Sequence, residues 1–125
     1  MVENLPSDRD DGFPPEVVQA AELALDRKAE DVTALDLRGI SSATDFFVLA
    51  TGNSDIQVRA IAEHVREELA REGIEPLSVE GTDRARWILL DFVEFVVHVF
   101  HPSARSFYAL ESLWGDAPAR EFTGD

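Results

Sequence analysis

The sequence predicts an α/β (α+β) domain with a mixed five-stranded sheet flanked by helices, and three observations lead there. Residues 54–73 carry apolar side chains at helical spacing, with Val58, Ile61, Ala62, Val65 and Leu69 on one face. Residues 46–50 form an unbroken apolar run, as expected of a central strand covered on both faces. Residues 86–92 and 95–101 are two short strand-like segments separated only by Val93 and Glu94, the spacing of a tight hairpin.

Taken in order, residues 1–14 hold Asn, Pro, Ser, Gly and the run Asp8-Arg9-Asp10-Asp11, and read as a flexible acidic tail. Pro14 and Pro15 set up a first helix with Glu16 in its opening turn. Residues 32–38 alternate as a half-buried strand, ended by Gly39 and Ser41-Ser42. The long helix starts at Ser54, with Gln57 completing a capping box, and Gly73 is placed to close it. Short strands follow near 77–80, 86–92 and 95–101, then a helical stretch from 104 to 114. The order helix, two strands, helix, three strands, helix gives the five-stranded mixed sheet. The predicted organisation is a single domain over residues 15–116, with 117–125 a flexible C-terminal tail.

Composition narrows the chemistry. The 125 residues are enough for one modest core. Without cysteine there are no disulfides, thiolate metal sites or thiol nucleophiles. No apolar run reaches the roughly 18 residues of a membrane helix, and the polar N-terminus is no signal peptide, so the expected address is cytoplasmic. A formal charge of -14 opposes binding to phosphate backbones and favours a basic protein partner, unless it serves solubility alone. Sequence-specific nucleic-acid binding and membrane association are not expected.

The hairpin carries most of the functional information. Pairing Phe92 with Phe95 and Trp87 with Phe100 sorts the side chains by pleat. One face holds Ile88, Leu90, Phe92, Phe95, Val97 and Val99, all apolar, and belongs to the core. The other holds Trp87, Leu89, Asp91, Val96, His98 and Phe100, too apolar for solvent and too polar for a closed core. Either a helix covers this face and Asp91 and His98 bond internally, or it is partly open and Trp87, Leu89 and Phe100 anchor another protein.

Several collinear blocks then match a known family. They are Leu35-Asp36-Leu37-Arg38-Gly39, Thr44-Asp45-Phe46-Phe47-Val48, Ala50-Thr51-Gly52-Asn53-Ser54-Asp55, residues 86–92, Val97-His98-Val99-Phe100-His101 and Leu113-Trp114-Gly115-Asp116-Ala117-Pro118. From about residue 32 to 118 the chain resembles the ribosomal silencing factors of the Iojap family. The resemblance implies a nucleotidyltransferase-like fold without catalysis. It also implies a translation repressor that binds a large-subunit ribosomal protein at the intersubunit face and sterically blocks subunit joining when nutrients run short. Family members often dimerise, so a homodimer is a second implied partner. The partner surface falls on Trp87, Leu89 and Asp91, with Phe92 adjacent and His98 and Phe100 beside them. Phe92 stands where the family often has Tyr, and Val93 where a glycine is common.

An enzyme of the same fold is the alternative. Such chemistry needs paired carboxylates for divalent metals, yet Asp36, Asp45 and Asp91 are isolated and the only Asp-x-Asp pair lies at Asp8 and Asp10. A phosphate could sit on Gly52-Asn53-Ser54 at the helix start, but Ser54 is adequately explained as a cap. His98 and His101, three apart, point to opposite faces of a strand and cannot chelate one ion together unless the strand ends between them. The expectation is therefore no catalytic residue, no cofactor and no metal. A dimeric scaffold with no ribosomal role is the remaining alternative.

Overall fold

A computed structural model describes residues 12–104, 115 and 117–124. Of the helix expected over 104–114 only residue 104 is described, and the stretch 1–11 lies outside the described residues. The element order is α1 (Pro15–Asp26), β1 (Glu30–Asp36), β2 (Phe46–Thr51), α2 (Asp55–Ala70), β3 (Ser78–Glu80), β4 (Trp87–Asp91), β5 (Phe95–Phe100) and β6 (Ala119–Phe122). The sheet order is β3-β4-β5-β2-β1-β6, with β2 and β5 parallel and every other neighbouring pair antiparallel. The α/β class and the mixed sheet match the reading of the sequence.

Among the described residues the sheet has six strands rather than five. The sixth comes from the segment expected to be a C-terminal tail, and it pairs with β1 from Val32 opposite Phe122 to Leu35 opposite Ala119. Its buried Phe122 enters the core, with the Arg120 guanidinium 4.5 Å from the ring centroid. At the other end, Phe13 of the expected N-terminal tail is also buried, its ring 5.7 Å from that of Phe46. A single aromatic in a polar stretch has no periodicity to announce it.

Both described helices pack on one face of the sheet. Val17, Ala20, Ala21 and Ala24 of α1 and Val58, Ile61, Val65 and Leu69 of α2 meet Val32, Ala34, Val48, Ala50, Ile88, Leu90, Val97 and Val99. On the opposite face Leu35, Leu37, Leu49, Phe100 and Ala117 form a second cluster, against which Phe47, Trp87 and Ala104 pack. Strand β1 is accordingly buried from Val32 to Asp36, not half-buried as its alternation suggested. Paired on both sides by β2 and β6, it contributes to both clusters. At its end, the Arg38 Nε and Nη2 grip the Asp36 carboxylate at 3.0 and 2.7 Å, holding that carboxyl below its usual pKa.

Helix α2 is specified at both ends. The Ser54 Oγ accepts the Gln57 N–H at 3.1 Å. The Gln57 carbonyl reaches back to the N–H of Asn53 at 2.7 Å, one residue beyond the usual capping box. At the far end Ile74 donates to the Leu69 carbonyl and Gly73 to that of Ala70, a Schellman closure with Gly73 at φ 81°. Helix α1 closes the same way, through Ala29 to Ala24 and Lys28 to Leu25, but the left-handed position is Lys28 at φ 64°. The Gln57 amide donates to the carbonyls of Arg27 and Lys28, each at 3.1 Å, tying this corner to the start of α2.

Candidate functional site

The hairpin pairs in the register its alternation predicts, with Trp87 opposite Phe100, Leu89 opposite His98 and Asp91 opposite Val96. On β4 the burial alternates: Ile88 and Leu90 are buried in the core, while Trp87, Leu89 and Asp91 are half-buried on the other face. Register with β3 adds Ser78 beside Asp91 and the exposed Glu80 beside Leu89 on that same face. Alternation in the sequence could not reveal Ser78 and Glu80, because β3 is three residues long.

Depth separates the six residues assigned to this face or its border. His98 and Phe100 are buried, so they lie beneath the surface rather than on it. Phe92 points to the opposite face, where its ring stacks on Phe95 at 4.7 Å and belongs to the core. Trp87, Leu89 and Asp91 therefore remain as the set with access to another molecule. Alternation assigns a side chain to a face but says nothing of how far the neighbouring strands bury it.

The buried pair shapes what lies above it. The Trp87 Nε1–H donates to the Nδ1 of His98 at 3.1 Å, and the indole packs 5.3 Å from the Phe100 ring. Burial pushes the His98 imidazole down to about 4, so it is neutral at pH 7 and its Nδ1 stays an acceptor. Gly81 lies alongside the same strand, just past the end of β3. It sits at φ 84°, and a Cβ there would overlap the backbone carbonyl oxygen of Trp87.

Asp91 has an internal task. Its Oδ1 accepts the N–H of Val93 at 2.8 Å, which builds the turn that the sequence supplies with neither Gly nor Asn. Glu94 donates to the Phe92 carbonyl across Val93 at φ 77°, the hydrogen bond of a γ-turn with positive φ. Thr44 Oγ1 donates to the Val93 carbonyl at 2.9 Å, and the Asp45 N–H to that of Glu94 at 3.0 Å. Asp45 thus acts through its backbone in fixing the hairpin tip.

The residues weighed for catalysis are occupied otherwise. Around the start of α2 the N–H of Asn53 goes to Gln57, that of Ile56 to Asp55 and that of Gln57 to Ser54, so these donors are committed to capping. An open groove does run from Asn53, Ser54 and Asp55 to Arg84, Arg86 and His101. His101 Nδ1 lies 2.9 Å from the Ser103 Oγ, away from the Trp87 bond of His98, so the two histidines serve different partners. Among the described residues no group of three or more His, Cys, Asp or Glu could hold a metal ion.

Such a fold is that of a small mixed α/β domain, with a half-exposed Trp, Leu and Asp set on a buried aromatic layer at one face of its sheet. Residues 11–124 match the family described as "Ribosomal silencing factor during starvation", and the chain belongs to that family. A ribosomal silencing factor of Bacillus subtilis is 50% identical over 99 residues, covering 79% of this chain and 84% of that protein. The chloroplastic Iojap protein of Zea mays is 34% identical over 86% of this chain and 47% of its own length. A crystal structure of a protein from Bacillus halodurans superposes with a TM-score of 0.75 at 44% identity, covering 87% of this chain and all of the other. A second, from Chromobacterium violaceum, gives 0.75 at 36% identity over 80% of this chain and 84% of the other. The family is one of translation regulators associated with the ribosome. No helix among the described residues is long and apolar enough to cross a membrane.

Proposed function

We propose that this chain represses translation by docking on a basic protein of the large ribosomal subunit, at the face where the small subunit would join. The observation that carries the reading is the half-buried Trp87, Leu89 and Asp91 set on strand β4, which is paired on both sides and so holds the set rigidly. Trp87 is the apolar anchor, Leu89 widens its contact, and Asp91 with Glu80 gives the negative rim suited to a basic surface. The net charge of -14 steers approach to such a partner. Repression is steric: the bound domain occupies space the small subunit needs, most consequentially when nutrients are short, and no reaction or cofactor takes part. The expected site of action is the cytoplasm.

The test is gradient sedimentation of separated subunits with the protein, followed by magnesium to drive joining. Cosedimentation with the large subunit and fewer joined particles is the expected result. Trp87→Ala should weaken that association by about 2 kcal/mol, near thirtyfold, while its circular dichroism stays native. Normal joining with the protein left at the top of the gradient would refute the proposal.

A further inference from the structure

A histidine inside an otherwise apolar layer asks for a reason. His98 is 4% exposed, its ring parallel to Phe100 at 6.0 Å and edge-on to Phe47 at 4.4 Å. Its Nδ1 accepts the Trp87 indole N–H, which places the imidazole proton on Nε2. That Nε2 is buried and finds no hydrogen-bond partner among the described residues. Leaving a buried donor unpaired is costly, and a leucine of similar size would avoid the cost. The feature that leucine could not reproduce is the acceptor facing Trp87. The contact is diagonal across the strands, since Trp87 lies opposite Phe100 and His98 opposite Leu89, so it fixes the tilt of the indole as well as satisfying it.

We infer that His98 is a positioning residue for Trp87: by taking the indole N–H internally it locks the ring in one orientation, so that the ribosomal partner receives Trp87 through its carbon edge in an apolar pocket that needs no acceptor. The inference rests on the reading of Trp87 as the anchor. An indole with a free N–H would require an acceptor on the partner or lose affinity when desolvated; here that requirement is met before binding. A ring already held in place also loses less freedom on docking, which lowers the cost of association.

The experiment has two readouts. In the isolated protein, with Trp114→Phe leaving a single indole, the Trp87 indole proton is followed by NMR hydrogen exchange. It should exchange slowly in the parent and in His98→Asn, whose Oδ1 can occupy about the position of Nδ1, and rapidly in His98→Leu. In binding to purified large subunits, His98→Leu should be about fivefold weaker, mainly through faster dissociation, and His98→Asn within about twofold of the parent. The double variant Trp87→Ala/His98→Leu should bind no more weakly than Trp87→Ala alone. If Trp87→Ala weakens binding while His98→Leu binds as the parent, or if the two losses simply add, the positioning role is overturned and the anchor survives. If Trp87→Ala itself binds as the parent, the anchor falls and the positioning role with it. Should His98→Leu fail to fold, the parent protein decides: an indole proton exchanging as fast as free indole overturns the inference.

Discussion

Acidification should weaken this fold through His98 in a pH window set by its burial. In the unfolded chain the imidazole titrates near its ordinary 6.5, while in the folded protein burial lowers it to about 4. Below 6.5 the unfolded state therefore binds the proton first, and stability falls as pH drops from 6.5 towards 4, then levels off. A tenfold difference in proton affinity is about 1.4 kcal/mol, so the full loss is about 3 kcal/mol, of which about 2 is already felt at pH 5. The geometry explains why the folded state resists the proton. A charged ring would turn Nδ1 into a donor facing the Trp87 N–H, and would add charge where Nε2 already lacks a partner.

With 25 acidic side chains, the whole protein also responds to pH through its carboxylates, so the effect must be isolated by difference. Urea unfolding of the parent and of His98→Phe between pH 7.5 and 4.5 does this. The variant carries a constant offset for the lost Trp87 bond and any repacking, but nothing at position 98 titrates. The parent should lose about 2 to 3 kcal/mol relative to the variant across that range. A difference that stays flat with pH would show that the folded imidazole titrates as the unfolded one does, solvated rather than buried, and would refute the argument.

Two further outcomes follow from local geometry. Lys28 holds the left-handed closing position of α1 that suits glycine, so Lys28→Gly should raise stability by about 1 kcal/mol in chemical denaturation. In Asp91→Asn the side-chain oxygen can still accept the Val93 N–H, so melting should change little while association with the large subunit weakens, chiefly at low salt.

The legible parts of this fold are those whose signals are local. The α2 helix announces itself through its cap, its spacing and Gly73. The β4–β5 register follows because two alternating strands joined by a two-residue turn admit few pairings. The parallel pairing of β2 with β5 brings together strands distant in sequence, and no periodicity names such a neighbour. Strand β6 escaped because its four residues offer one buried side chain, Phe122. The candidate site shows the same division. Alternation on β4 placed Trp87, Leu89 and Asp91 together. It also placed Phe92 on the core face, but could not show that His98 and Phe100 sink beneath them or that Glu80 stands alongside.

The hairpin tip brings backbone strain and site geometry into one place. Val93 is β-branched and sits at φ 77°, a conformation costing about 1 to 3 kcal/mol for such a residue. It persists because the surroundings over-determine it: Asp91 holds its N–H, Thr44 its carbonyl, and the stacked Phe92 and Phe95 close the strands behind it. Glycine would release the strain at a cost of about 0.5 to 1 kcal/mol in chain entropy, and the Val93 side chain, 53% exposed, loses only part of its burial. Val93→Gly should therefore gain up to about 1 kcal/mol in urea denaturation. A loss exceeding about 0.5 kcal/mol would mean that side-chain contacts, not backbone strain, dominate at this position. Affinity for the large subunit separates a second effect: if it falls while stability rises, the exposed Val93 side chain extends the binding surface beyond Asp91. If both stability and affinity hold or rise, the strained turn serves only to join β4 to β5, and the binding surface ends at Asp91.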